Sequence, residues 1–404
     1  MPRSDLSPSA SLGVTVHNSL ESLERLRPEW DALVDEFPSA TTFCTWEWLA
    51  PWWRAFGGAD QLRVLELRNP STRSLVALAP LALTSQRCAG LNLRVLRLMG
   101  DGSGDSDNLD LPVRTGDETG VALSLLNWLQ DGARDWDLCR LNTLPSGSPI
   151  ANRLLEEIKP RNWTCFTATR PSSVIDLPET WESYLKMLSS KERGKIGYLT
   201  RRLEKKYHLR IFRCAGVDQL DVCLEALFEL HGKHWQARGL PGTLQLGARR
   251  QFYREMGRLL MERGRLQFWL LELDGKIVAA QFGFRHGDTV FCLQEGFDPG
   301  YSLDSAGYVL RSQAIKQLIS EGVRRYDFLG GSDASKSRWG AQLENYLNIE
   351  FARPYTRGSA YLILAHGAAN AKRWLRARLS PRTWRALKVV AGAQRRHIEH
   401  GKIQ

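Results

Sequence analysis

The residues best equipped for chemistry lie between Leu266 and Trp339. Glu295 closes an apolar run beside Gly296, where a carboxylate can take a proton from an attacking amine; a Glu at a strand end is as often a solvated ion-pair partner. Asp327 stands between Tyr326 and Phe328 in a short apolar run, so its carboxylate is expected to be buried and to need partners. Lys336 or Arg338 would supply them, and structural pairing outweighs catalysis at this position. Tyr301 and Tyr308 carry hydroxyls able to protonate a leaving group, although such tyrosines commonly cover a core edge. Ser305, Ala306, Gly307 and Tyr308 open a helix. Its free N–H groups can hold a pyrophosphate, Gly307 lets a ligand approach the backbone, and Ser305 can equally be an ordinary N-cap.

Other constellations lead to exclusions. Lys336 lies in G-G-S-D-A-S-K-S (Gly330–Ser337), but Ser335 replaces a required glycine of a phosphate-binding loop, so ATP binding is rejected and a substrate loop expected. His231 and His234, downstream of Cys223, invite a metal. No second cysteine or carboxylate completes the ligand set, so a helix-surface pair and no metal are expected. Gly100–Gly104 (G-D-G-S-G) lacks the third glycine of a dinucleotide-binding turn and reads as a loop facing a cleft. Trp46, Trp48, Trp52, Trp53 and Phe56 read as a core helix, with an acceptor-binding wall as the lesser alternative. No G-x-S-x-G elbow occurs.

The elements that must position these residues follow from periodicity. Leu266–Leu273, an Asp274-Gly275 turn and Ile277–Phe284 form a hairpin, because both turn residues tolerate positive φ. A third strand (Thr289–Gly296), a helix (Gly307–Ile319) and a short strand (Tyr326–Leu329) follow. The first half repeats that order: Leu62–Leu67, Leu75–Leu83, Arg94–Leu98, a helix over Val121–Gln130, and Trp136–Leu141. Ala133–Leu141 aligns with Val323–Gly331. Helical stripes cover Asn18–Phe37, Trp181–Lys206, Asp218–Trp235 and Arg249–Glu262. T-R-P-S-S marks a break near Thr167–Pro178. The expected fold class is α/β, in α+β layers: mixed, mostly antiparallel sheets flanked by helices, in units 12–170 and 171–355, with a basic helical tail over 356–404.

The hairpin, D-P-G-Y-S…S-x-G-x-x-L (Asp298–Leu310), G-x-x-x-Y-D-F-L-G-G (Gly322–Gly331) and F-C-T-W-E-W-L-A-P-W-W (Phe43–Trp53) together resemble the GNAT superfamily. Within it they are most similar to the BioF2-like and CelD-like acetyltransferases, relatives of the Fem peptidyltransferases, over roughly residues 12–352. The resemblance implies two tandem GNAT-like domains and a cytoplasmic acyltransferase using acetyl-CoA or another acyl-CoA as donor. Transfer would be direct, to an amine or hydroxyl of a small-molecule or glycan-precursor acceptor held between the domains, in cell-envelope or exopolysaccharide synthesis. Where classical members carry Q/R-x-x-G-x-G/A, this chain has L-D-S-A-G-Y (Leu303–Tyr308). That departure keeps two alternatives open. One is a Fem-type transferase using aminoacyl-tRNA, with the basic helix Lys191–Lys206 on phosphates. The other is a non-catalytic subunit of a polysaccharide-synthesis assembly.

Composition sets the remaining bounds. A chain of 404 residues, 43% of them apolar, can bury a large core. No signal-peptide pattern or bilayer-length apolar run occurs, and the seven scattered cysteines read as buried thiols in a reducing cytoplasm. From Arg357 onward Lys and Arg recur with one acid, Glu399, so most of the net charge of +11 sits in the tail. Leu362, Ile363, Leu364, Trp374 and Leu375 among those cations, and a second helix opened by Ser380-Pro381, suggest peripheral contact with an anionic membrane; packing on the body is the alternative.

Overall fold

The structure, a computed structural model, describes residues 12–378 except 38, 133–134, 238 and 241. It opens with β1 (Gly13–His17), α1 (Leu20–Glu24) and α2 (Arg27–Glu36). The single helix expected over Asn18–Phe37 is thus two, because Pro28 cannot donate within a helix but suits the first turn of a new one. Helix α3 (Trp46–Phe56) buries Trp46, Trp48 and Trp52. Then come β2 (Gln61–Arg68), β3 (Leu75–Cys88), β4 (Leu91–Leu98), α4 (Glu118–Asp131), β5 (Leu138–Pro145), α5 (Pro149–Ile158) and β6 (Thr164–Asp176).

The second unit begins with α6 (Trp181–Met187) and α7 (Ser190–Lys206). These replace the single helix expected there, because Ser189 starts a new helix by accepting the Glu192 N–H at 3.3 Å. After β7 (Leu209–Arg213), α8 (Val217–Gln236) and α9 (Gly247–Glu262), the hairpin β8 (Leu266–Leu273) and β9 (Lys276–His286) turns at Asp274 (φ 50°) and Gly275 (φ 81°). Next are β10 (Thr289–Phe297), α10 (Ala306–Ser320), β11 (Arg325–Gly330), α11 (Ala334–Ser337), β12 (Gln342–Ala352) and α12 (Arg357–Arg378). The second tail helix, from Ser380, lies outside the described residues.

The strands form one sheet of order β1-β2-β3-β4-β5-β12-β6-β11-β10-β9-β8-β7. The two units repeat each other: β4 runs parallel to β5, and β10 to β11, while the other strand pairs of the sheet are antiparallel. At the centre the units trade strands. β12 lies between β5 and β6, pairing Tyr346 with Pro145, and β6 pairs with β11. The break expected near Thr167–Pro178 is therefore strand interior. Pro171 is tolerated there because its carbonyl meets the Gly331 N–H (2.9 Å) just past the end of β11, where no ladder bond needs the N–H it lacks.

The core crosses the same boundary. Phe43 and Trp48 of the first unit pack on Phe284, Phe291 and Phe252 of the second, with ring centroids 5.1–5.8 Å apart. These side chains are buried, and their removal from water at about 25 cal/mol per Å² fixes the units against each other.

Candidate active site

Strands β10 and β11 pair only over Thr289–Phe291 and Arg325–Asp327, and then part. Both are irregular just beyond: β10 shifts register against β9 between Cys292 and Gln294, and β11 against β6 between Asp327 and Gly330. Each irregularity bends its strand away from the other. The β11-facing main chain of Leu293–Gly296 is left without a strand partner, an opening where ligand atoms can meet backbone N–H and C=O groups.

Above the opening stands the start of α10. The first intrahelical bonds are Tyr308 N and Val309 N to Ser305 O (3.0 and 3.2 Å), so the N–H groups of Ala306 and Gly307 precede the helical ladder. Ser305 has φ +56° and its side chain makes no capping bond, so it is not the ordinary N-cap weighed from sequence. Asp304, buried before it, is held by Lys206 (3.0 Å), Arg202 (3.3 Å) and the Tyr207 hydroxyl (2.9 Å). Two cations of the basic helix are thereby spent on fixing this loop. Lys195 instead lies 4.3 Å over the Tyr308 ring and reaches the cavity.

Glu295, Tyr301, Ser305, Ala306, Gly307 and Tyr308 all line this one cavity, of about 540 Å³. Their environments differ from expectation in two cases. Glu295 is ion-paired with Arg311 (Nε–Oε1 3.0 Å), so it is not a free base. Tyr308 donates its hydroxyl to Glu192 at 2.7 Å, and burial together with that bond pushes its pKa up, so it is a poor acid. Tyr301 keeps its place at the mouth, with the Lys276 ammonium 5.2 Å over its ring.

Periodicity missed the opposite wall. His231 and His234, expected on a helix surface, line the cavity; His231 is buried because α8 meets β10 at Gly296, where a Cβ would stand 2.8 Å from the His231 backbone nitrogen. Trp235 Nε1 donates to His231 Nε2 at 2.8 Å, which puts the ring proton on Nδ1. Burial pulls the His231 pKa down to about 4, so the ring is neutral at pH 7. A glycine opposite an apolar helical stripe was the available signal, but it lies sixty-odd residues downstream (~65 apart), beyond any local pattern.

Asp327 and Lys336 do not line this cavity; Asp327 is the last residue of β11 paired with β10, at the fork and at the junction of the units. Asp327 is buried and accepts from Leu329 N (2.7 Å) and Asn108 Nδ2 (3.3 Å), not from Lys336 or Arg338 as expected. The reason is Leu329, whose φ of +60° turns its N–H toward Asp327 and the strand-end carbonyls toward Lys336. Lys336 Nζ donates to the carbonyls of Phe328 (3.1 Å), Leu329 (3.3 Å) and Gly330 (2.8 Å), and burial lowers its pKa. It braces the bulge and lines neither cavity. Burial pushes the Asp327 carboxyl up to about 6.

The loop containing Gly100–Gly104 reaches this junction. Trp52 and Trp48 donate to Ser103 and Ser106 (both 3.0 Å), Asp105 accepts from Arg249 Nε (2.9 Å), and Asp107 accepts from Gly330 N (2.8 Å). A cavity of about 450 Å³ opens beside it, lined by Ser39, Thr41, Asn108, Ser172, Asp327 and Tyr346 among others. The second-unit cavity thus offers anion-binding N–H groups and an unpaired strand edge, and the junction offers a buried carboxyl whose pKa is raised to about 6.

Residues 190–337 match the acetyltransferase (GNAT) domain family. No curated protein matches the chain. Among solved structures it is similar to FemX, with a TM-score of 0.60 and 12% identity over 87% of this chain and 99% of that one. It is also similar to a conserved protein of unknown function from Bacteroides thetaiotaomicron, with a TM-score of 0.54 and 15% identity over 84% and 100%.

Proposed function

We propose that this chain, an acyltransferase whose residues 190–337 are a GNAT acetyltransferase domain, takes its acyl group from acetyl-CoA or another acyl-CoA and passes it directly to an amine or hydroxyl. The observation that carries the reading is the parting of β10 and β11 beneath the start of α10. The N–H groups of Ala306 and Gly307, with Lys195, suit a pyrophosphate. The unpaired edge of β10 suits a thioester carbonyl, whose oxygen gains charge as the acceptor adds. Asp327 takes the acceptor's proton, its pKa near 6 leaving it ionised at pH 7 yet basic enough to work. The new bond forms at the carbonyl carbon, the carbon–sulfur bond breaks, and the thiolate leaves protonated by solvent or by Tyr301. Glu295 positions Arg311 in the cavity wall.

The acceptor enters from the junction. Its hydroxyl- and amide-rich lining suits a polyhydroxylated molecule such as a cell-envelope or exopolysaccharide precursor. A second reading, an aminoacyl group delivered on tRNA, is favoured by Lys195 in the cavity wall; Lys233 and Lys276 nearby are paired with Asp298.

Calorimetric titration decides between them. Acetyl-CoA should bind with a dissociation constant of roughly micromolar to millimolar order, and the bulk introduced by Gly307→Trp should abolish it. Silence toward acetyl-CoA, with salt-dependent binding of aminoacyl-tRNA, would overturn the donor assignment.

A further inference from the structure

Helix α12 has a side that the body does not cover. Its inner side is fastened: Leu362 is fully buried, His366 stacks on Phe166 at 3.9 Å, and the Ser359 hydroxyl bonds Thr164 Oγ1 at 2.6 Å. Gly358 lies so close to Asp137 that a Cβ would overlap its carbonyl oxygen. The outer side carries Ile363, Leu364, Gly367, Ala368, Ala371 and Trp374, at spacings that repeat one helical stripe. Ile363, Leu364 and Trp374 are 56%, 70% and 53% exposed. Lys372, Arg373, Arg376 and Arg378 follow in the last turns, and the helix contains no Asp or Glu. A helix that merely faces water interleaves both signs of charge and keeps its apolar residues inward. This one does neither.

We propose that the outer face of α12 docks the protein on an anionic lipid surface, lying in the plane of the interface with Ile363, Leu364 and Trp374 among the acyl chains. Charge selects this occupant. A second copy would bring the same unbalanced cations against the first. Residues 379–404 add six more Lys and Arg (382, 385, 388, 395, 396, 402) against Glu399, so folding back cannot neutralise the face. Nucleic acid would answer the charge but not the exposed aliphatic and indole groups. An anionic bilayer answers both, since the apolar stripe enters the headgroup boundary and the basic residues meet lipid phosphates. The proposal is independent of the acyl donor.

The test is co-sedimentation of the full chain with vesicles of phosphatidylcholine alone and of phosphatidylcholine mixed with phosphatidylglycerol. Binding is expected only to the mixed vesicles and should weaken as salt rises. Lys372→Gln and Arg378→Gln, which flank and join the apolar stripe, should each weaken it by about fivefold. The double variant Leu364→Glu/Trp374→Glu should weaken it more than about tenfold, with an unchanged melting temperature because both side chains are exposed. No sedimentation with anionic vesicles would overturn the proposal. So would equal sedimentation of the double variant, which would mean attraction by charge alone, as for RNA. A dimer in light scattering that the double variant breaks, without vesicle binding, would assign the face to a second copy instead.

Discussion

Replacing Asp327 by Asn separates a proton acceptor from a merely structural carboxylate. Burial lifts the Asp327 pKa from 3.8 to about 6. A rise of that size amounts to roughly 3 kcal/mol in favour of the protonated acid. Activity that needs the ionised form should fall about tenfold per pH unit below pH 6. Asp327→Asn removes the acceptor, and loss of a general base lowers turnover by about 10²- to 10⁴-fold, with the acid limb gone from what remains. Stability moves the other way. A carboxyl whose folded pKa is raised stabilises the fold most below pH 3.8 and loses that contribution as pH rises through 6. Asn holds no such charge at high pH and still accepts from Leu329 N, but its amide faces Asn108 Nδ2, a conflict costing about 1 kcal/mol until Asn108 turns over. The assay is a pH profile of acyl transfer, with thermal melts at each pH. Glu295→Gln, which breaks the Arg311 pair, is the comparator and should keep the limb near pH 6. Wild-type turnover by Asp327→Asn, or a surviving limb in it, would refute the assignment.

Two further outcomes probe the junction and the core. Arg249→Met strands Asp105, whose side chain is 2% exposed, and should lower the unfolding free energy by about 3–5 kcal/mol in denaturant titration; adding Asp105→Leu should recover much of it. Asp110 is buried with its pKa pushed up to about 7, accepting from Ser148 Oγ (2.9 Å) and Leu111 N (2.8 Å). Its stabilisation is complete below pH 3.8 and lost as pH rises through 7, so Asp110→Asn should gain on the wild type between pH 4 and 8 by up to about 4 kcal/mol. A stability difference that stays flat across that window would contradict it.

The local order of the second unit is legible in its residues. Asp274-Gly275 names its own turn, and the alternation on either side of it yields β8 and β9 within a few residues. The gathering of Glu295, Tyr301 and Ser305–Tyr308 around one cavity follows from their nearness in sequence. Long-range placement is not legible. β12 is exposed over its first four residues, with weak alternation, and its insertion beside β5 depends on partners about 200 residues away. Pro171 looks like a breaker because nothing nearby reveals that β11 ends opposite it. Opposite charges favour a Lys336–Asp327 pair, yet the left-handed Leu329 offers the ammonium strand-end carbonyls instead.

The traded central strands bear on how the molecule is made. During synthesis β5 is complete near residue 145, but the neighbour it needs is β12, which ends at Ala352. While about 200 further residues are made, the first unit therefore presents an unpaired, apolar strand edge, the kind that captures other chains. Residues 190–337 alone would lack β6 and β12, leaving β11 bare on one side. The nascent chain is the form most in need of a chaperone, and the matched segment 190–337 is not one that can be cut out and expected to fold.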